Sequence, residues 1–197
     1  MDKRRLPALT KIAHGPYGAI VFAVFDSRSG NRRRPYSKLR YQKNMRNIFK
    51  NIFRGKTVIV GIGNTMKGDD GLGPELVKRL NDKIKAFCID AGVTPENHVG
   101  KIAAEKPDTV MLIDAAHLNK KPGAYGILDS RDISRSGLTT HDISPSMFIE
   151  YLKAQTGAAI FLLGVQPGDI SFGARISERV AKAIDKIEKL IMEANNA

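Results

Sequence analysis

The sequence predicts an α/β fold, a three-layer α/β/α sandwich around a mainly parallel sheet. Three observations predict it. Short β-branched or apolar runs alternate along the chain with stretches whose apolar residues recur at helical spacing. One of these runs, Thr109–Ile113, is apolar almost throughout, as a central parallel strand buried on both faces should be. The stretch from Thr57 to Leu80 passes from strand to polar loop to helix within a few dozen residues, which is the opening unit of such a fold.

Residues 1–55 differ from the rest. Tyr17–Phe25 reads as a strand or as the core of a weak signal peptide, although Asp26-Ser27-Arg28 follows it where small residues should mark cleavage. Ser29–Arg34 is a polar, basic turn or tail. Ser37–Phe53 mixes Leu39, Met45, Ile48, Phe49, Ile52 and Phe53 with basic residues. It reads as a basic amphipathic helix lying on the body, a membrane surface or nucleic acid. An alternative is that Met45 is the start of the chain. We therefore expect a basic extension over 1–55, disordered or partly helical, and one domain over 56–197.

Thr57–Val60 reads as a buried strand, and Gly61-Ile62-Gly63-Asn64 turns the chain. Gly68-Asp69-Asp70-Gly71 leads into a helix with Leu72, Leu76, Val77 and Leu80 on one stripe. Ala86–Ala91 is a second strand, containing Asp90. Pro95–Glu105 is a helix that Pro107 closes. Thr109–Ile113 is a strand followed directly by Asp114. Pro122-Gly123 marks a turn before a strand over Ala124–Leu128. Asp129–Gly137 is a polar loop, and Thr139-Thr140-His141-Asp142 follows without periodicity. Ser144-Pro145 supplies an N-cap and first position for a helix to about Ala154. Ala158–Val165 is a buried strand. Ser177–Ala194 is a closing helix with Val180, Ile184, Ile187 and Ile191 inward.

Composition excludes some functions. The chain carries a net charge of +12, but residues 1–55 hold 14 basic and 2 acidic residues, while 56–197 hold 18 of each. The body thus has no nucleic-acid footprint, and no nucleic-acid partner is expected for it. The single cysteine, Cys88, reads as a small core residue and allows no internal disulfide. No apolar run approaches the roughly 20 residues of a membrane helix. A cytoplasmic monomer is expected.

Ligands of open α/β sheets gather beyond the carboxyl ends of the strands. The acidic pair after the first body strand is therefore a candidate for chemistry. A dinucleotide fingerprint fails there: Met66 stands where Gly61-x-Gly63 requires a third glycine, and two carboxylates would repel a pyrophosphate. Asp70, Asp114 and His141 all stand at strand or loop ends. Two carboxylates and an imidazole suit a borderline divalent metal such as nickel or zinc. The blander reading makes Asp70 a helix cap, Asp114 a loop anchor and His141 an ordinary loop residue. His98 and His117 are further possible donors, His117 the nearer to Asp114 in sequence.

The stretch GIGNTMKGDDGLGPELVKRL resembles the signature of the hydrogenase maturation endopeptidases, and most closely the branch that processes the hydrogenase 3 large subunit. The resemblance continues through Ile89-Asp90-Ala91-Gly92, Pro95-Glu96-Asn97, Leu112-Ile113-Asp114-Ala115, Thr139-Thr140-His141 and Leu163-Gly164-Val165-Gln166-Pro167, spanning about Lys56 to Leu190. It implies a twisted sheet of about five strands between helices. It implies an endopeptidase that trims a C-terminal extension from the nickel-loaded precursor of a nickel–iron hydrogenase large subunit. The family's nickel-contacting positions match Asp70, Asp114 and His141, with nickel brought by the precursor. Asp90 and Gly92 match a segment tied to substrate choice, although Ala91 stands where relatives often have glycine. Two mechanisms stay open: Asp70 and Asp114 as an aspartic-type pair activating water, or nickel polarising the carbonyl or supplying hydroxide. A nickel-binding recognition module or assembly chaperone without proteolysis is the alternative function.

Overall fold

The computed structural model describes residues 9–14, 20–24, 38–53, 55–129 and 145–195. Among them one sheet is formed by β1 (Leu9–His14), β2 (Ile20–Val24), β3 (Thr57–Ile62), β4 (Phe87–Gly92), β5 (Thr109–Ala115), β6 (Tyr125–Asp129) and β7 (Ala159–Val165). Their spatial order is β1-β2-β6-β7-β5-β3-β4. Strands β7, β5, β3 and β4 are mutually parallel, and β6 runs antiparallel to β7. These five make the mainly parallel sheet expected from the sequence. Strand β2 adds to the outer edge of β6 in parallel and β1 pairs antiparallel with β2, so the sheet is wider than expected.

Helices α1 (Lys38–Ile52), α2 (Leu72–Leu80) and α5 (Glu178–Asn195) cover one face, and α3 (Val99–Ala104) and α4 (Pro145–Thr156) cover the other. Successive strand residues point to opposite faces, so a strand covered on both sides must be apolar throughout. In β3, Ile59 joins the α1/α2/α5 core while Val58, Val60 and Ile62 join the α3/α4 core. In β5, Met111 and Ile113 take the first side and Val110 and Leu112 the second. The inward stripes of α2 and α5 are the predicted ones: Leu72, Leu76, Val77 and Leu80, and Val180, Ile184, Ile187 and Ile191. Where α2 meets the sheet there is no room for a side chain. A Cβ on Gly61 would lie 2.4 Å from the Gly73 carbonyl oxygen, so two glycines let the first turn of α2 touch β3.

Element ends shift slightly. The helix expected over Pro95–Glu105 starts as a 3₁₀ turn, Pro95–His98, before α3. Of the settings open to the basic amphipathic segment, α1 takes the first, a helix lying on the body. Met45, Ile48, Phe49, Ile52 and Phe53 are buried in the same core as β3, with the Phe49 and Phe53 rings stacked 5.8 Å apart. Arg46 pairs with Glu193 of α5 at 2.6 Å, and Lys50 is exposed. Arg46 and Lys50 are exposed, while the apolar stripe of Met45, Ile48, Phe49, Ile52 and Phe53 packs inward. The sequence boundary expected at residues 55/56 thus separates two elements that share one core. Among the described residues no helix is long and apolar enough to cross a membrane.

Candidate active site

The chain runs from β3 to β4 on one side and then to β5 on the other side of β3. This reversal opens a crevice beyond the carboxyl ends of β3 and β5, the place where ligands bind in such sheets. Two acids converge on it. Asp70 follows β3, and Asp114 lies in β5 at the end of its apolar run. Both are buried, at 4% and 1% exposure.

The loop after β3 is built to aim Asp70. Gly63 has φ +138°, and a Cβ there would stand 1.8 Å from the Asp70 carbonyl oxygen, so only glycine fits. The Asn64 N–H donates to Asp70 Oδ2 at 2.9 Å, and the Met66 N–H donates to Asn64 Oδ1 at 2.9 Å. A 3₁₀ turn, Gly68–Gly71, then enters α2. The N-cap of α2 is Gly71, with no side-chain cap, so neither acid is the helix cap that the blander reading offered.

Asp114 is electrostatically unusual. Burial first, and the neighbouring charge of Asp70 second, hold its carboxyl well above the usual carboxylate range, and the Ala115 N–H it accepts only partly offsets them. Two like carboxyls whose surroundings push one of them upward are the arrangement that can supply an acid and a base from the same residue type.

Asp69 has a different task. Fully buried, it accepts from the Gly168 N–H at 2.7 Å, the Asp169 N–H at 3.0 Å, the Ser177 N–H at 2.6 Å and the Ser177 hydroxyl at 2.9 Å. It fixes the segment between β7 and α5 against the loop carrying Asp70. Gln166 does the same for the loop after β5: its Oε1 accepts from the Leu118 N–H at 2.8 Å and the Lys120 N–H at 3.3 Å. Sequence reading quoted both residues within motifs but gave neither this role. The available signal was an acid in excess of what one helix start needs, and a lone polar residue ending an apolar strand.

Asp90 and Gly92 lie on β4, the edge strand beside this loop. The Gly92 N–H donates to Asp90 Oδ1 at 3.0 Å, and the Gly63 N–H donates to the Gly92 carbonyl at 2.9 Å. Asp90 is exposed and helps line a groove of about 580 Å³ between β4 and α2, with Thr65, Pro74, Val77 and Cys88. Cys88 is therefore half-buried, packing against the core as expected while also lining the groove. Burial, with Asp82 second, pushes its thiol up to about 11, which leaves negligible thiolate at neutral pH. His141 lies outside the described residues. Among the described residues no three His, Cys, Asp or Glu side chains gather as a metal-holding group. His117 is exposed and His98 sits at the start of α3, so neither completes a set with Asp70 and Asp114.

Residues 72–194 match the HycI family model, described as hydrogenase maturation protease. The chain is 32% identical over 133 residues to the hydrogenase 3 maturation protease of Escherichia coli K12, covering 66% of this chain and 85% of that protein. Its fold is similar to that of the nickel–iron hydrogenase maturation protease HycI from Thermococcus kodakarensis KOD1. That match has a TM-score of 0.70 and 34% identity, over 76% of this chain and all but 1% of that one, which is 99% covered. The solution structure of the endopeptidase HycI from Escherichia coli is also similar, with a TM-score of 0.61 and 28% identity over 68% of this chain and 87% of that one.

Proposed function

The chain belongs to the hydrogenase maturation protease family, and from that premise we propose that it is an endopeptidase acting on the precursor of a nickel–iron hydrogenase large subunit. It removes a C-terminal extension once nickel has been installed, and so completes maturation of the enzyme. The observation that carries this reading is the burial of Asp70 and Asp114 together at the switch point of the sheet. Nickel belongs to the substrate. Asp70, Asp114 and His141 are its proposed contacts on this chain: two oxygen donors and one imidazole suit a borderline cation and leave positions for the precursor's own ligands. Asp90 and Gly92, on the adjoining edge strand, contact the peptide.

The proposed chemistry is of the aspartic type. In the cleavage step Asp114 is off the nickel and protonated, and it donates that proton to the scissile carbonyl oxygen. Asp70 takes a proton from water as the water oxygen adds to the carbonyl carbon. Collapse of the tetrahedral species breaks the C–N bond, the proton from Asp70 passing to the departing amine nitrogen and one hydroxyl proton returning to Asp114 as the C=O bond re-forms. The inert Cys88 thiol supports a non-cysteine mechanism.

The deciding experiment is incubation of the full chain with nickel-loaded precursor, followed by mass spectrometry of the precursor's C-terminus. Loss of a single C-terminal fragment, dependent on nickel, is expected. A stable complex with an intact C-terminus would overturn proteolysis in favour of a recognition module.

A further inference from the structure

Three large apolar side chains are exposed on the loops that frame the crevice: Met66 at 55%, Ile170 at 38% and Phe172 at 75%. They come from two segments far apart in sequence that the fold zips together. The Asp69 N–H donates to the Asp169 carbonyl at 2.8 Å, and the Gly173 N–H donates to the Met66 carbonyl at 2.8 Å. Gly68 lies so close that a Cβ on it would stand 2.5 Å from the Asp169 oxygen. Behind the second segment the buried Asp69 carboxylate holds Gly168, Asp169 and Ser177. The apolar residues therefore stand on a braced surface.

A braced, exposed apolar patch marks an interaction site, and aromatic side chains dominate such contacts. We infer that Met66, Ile170 and Phe172 form a docking platform for the folded body of the protein substrate, packing against apolar surface that flanks its scissile extension. This inference rests on the protease reading above. The position argues for the substrate over a second copy of this chain. Met66 belongs to the same loop as Asp70, and Ile170 and Phe172 hang from the segment that Asp69 grips. An occupant seated there lies alongside the bond to be cut, whereas a second copy would cover the crevice. The platform gives affinity for the folded precursor, and the groove beside Asp90 is left to the extended peptide.

The test uses the full chain, with Met66→Ser, Ile170→Ser and Phe172→Ser singly and combined, and nickel-loaded precursor. Tyr151→Ser, an exposed apolar position on α4, is the control. Both cleavage kinetics and direct binding of the precursor are measured. The combined variant is expected to raise KM and Kd at least tenfold while kcat stays within twofold, and the control to leave all three unchanged. Circular dichroism and melting identical to the parent exclude misfolding. If the parent cuts and the combined variant binds and cuts with parental constants, the platform is overturned and the protease reading stands. If the parent binds without cutting and the combined variant loses binding, the platform stands and proteolysis falls. If the parent neither binds nor cuts, both fall. If the parent self-associates in sedimentation and only that is lost in the combined variant, the patch joins two copies and the inference is overturned.

Discussion

Asp69 and Ser177, 108 residues apart, share two hydrogen bonds, one from the Ser177 N–H to Oδ1 and one from its hydroxyl to Oδ2. The same carboxylate takes the N–H groups of Gly168 and Asp169. Asp69→Ala strands three backbone donors in a buried place and should cost about 2–4 kcal/mol. Ser177→Ala removes only the hydroxyl bond and should cost about 1 kcal/mol. Thermal unfolding of the two variants checks this. Equal melting temperatures would mean that Asp69 does not brace the segment before α5.

Asp114→Asn should stabilise the folded chain at neutral pH while abolishing cleavage. Burial and the charge of Asp70 raise the Asp114 carboxyl in the folded state. Between the ordinary aspartate value, about 3.9, and that raised value, the folded state binds a proton that the unfolded state releases. Stability therefore falls as pH climbs through this window, and the whole penalty stands above it. Asparagine carries no such penalty. Measured with chelator present, the variant should melt above the parent at pH 7, with the gap closing towards about pH 4. Cleavage should drop by about 10²–10⁴-fold. A variant less stable than the parent at pH 7 would show that the carboxylate is favourably held.

Gly63→Ala and Gly92→Ala should separate sharply, although both positions have positive φ, +138° and +54°. At Gly63 the added Cβ meets the Asp70 backbone at 1.8 Å, so the loop must move and carry Asp70 with it. The cost should be about 3 kcal/mol or more, with loss of cleavage. At Gly92 nothing lies within 4 Å, so only the left-handed backbone opposes alanine, at about 1–2 kcal/mol. Chemical denaturation of both variants measures the difference. Equal costs would mean that the close approach to Asp70 relaxes freely.

Most of the body was legible because its strands are buried on both faces and its helices on one. Thr109–Ile113 and the α5 stripe carry their environment in their spacing. The position of Asp70 and Asp114 at strand ends was equally legible, since the alternation of elements defines where the strands stop. What escaped depends on contacts between distant segments. Asp69 looks like a helix cap until the 166–177 segment folds back onto it. Cys88 packs on the core as its apolar run suggests, but its place on the groove follows from the sheet edge, where that run has only one well-covered face. The apolar stripe of α1 was legible as one face of an amphipathic helix, but the basic residues beside it left the body, a membrane surface and nucleic acid equally open as its partner.

That stripe leads to the last prediction, a comparison of two shortened chains. A chain begun at Met45 loses the packing of α1 on β2 but keeps its buried residues Met45, Ile48, Phe49, Ile52 and Phe53 and the Arg46–Glu193 pair. It loses β1 and β2, and β2 is held to β6 through only the pairs Ile20–Gly126 and Val21–Ile127. Every proposed site residue lies beyond Lys56. This chain should fold and cut nickel-loaded precursor within about twofold of the full chain at physiological salt, where charge steering is screened beyond about 8 Å. A chain begun at Lys56 loses five buried apolar side chains, each worth about 1.5–3 kcal/mol. The sum is on the order of 10 kcal/mol, comparable to the whole stability of a typical domain. It should be insoluble or unfolded by circular dichroism. A folded, active chain from Lys56 would make α1 an accessory to the core. A chain from Met45 that folds but cuts poorly at both low and physiological salt would give residues 1–44 a direct part in the reaction. A deficit confined to low salt would assign them electrostatic steering of the precursor.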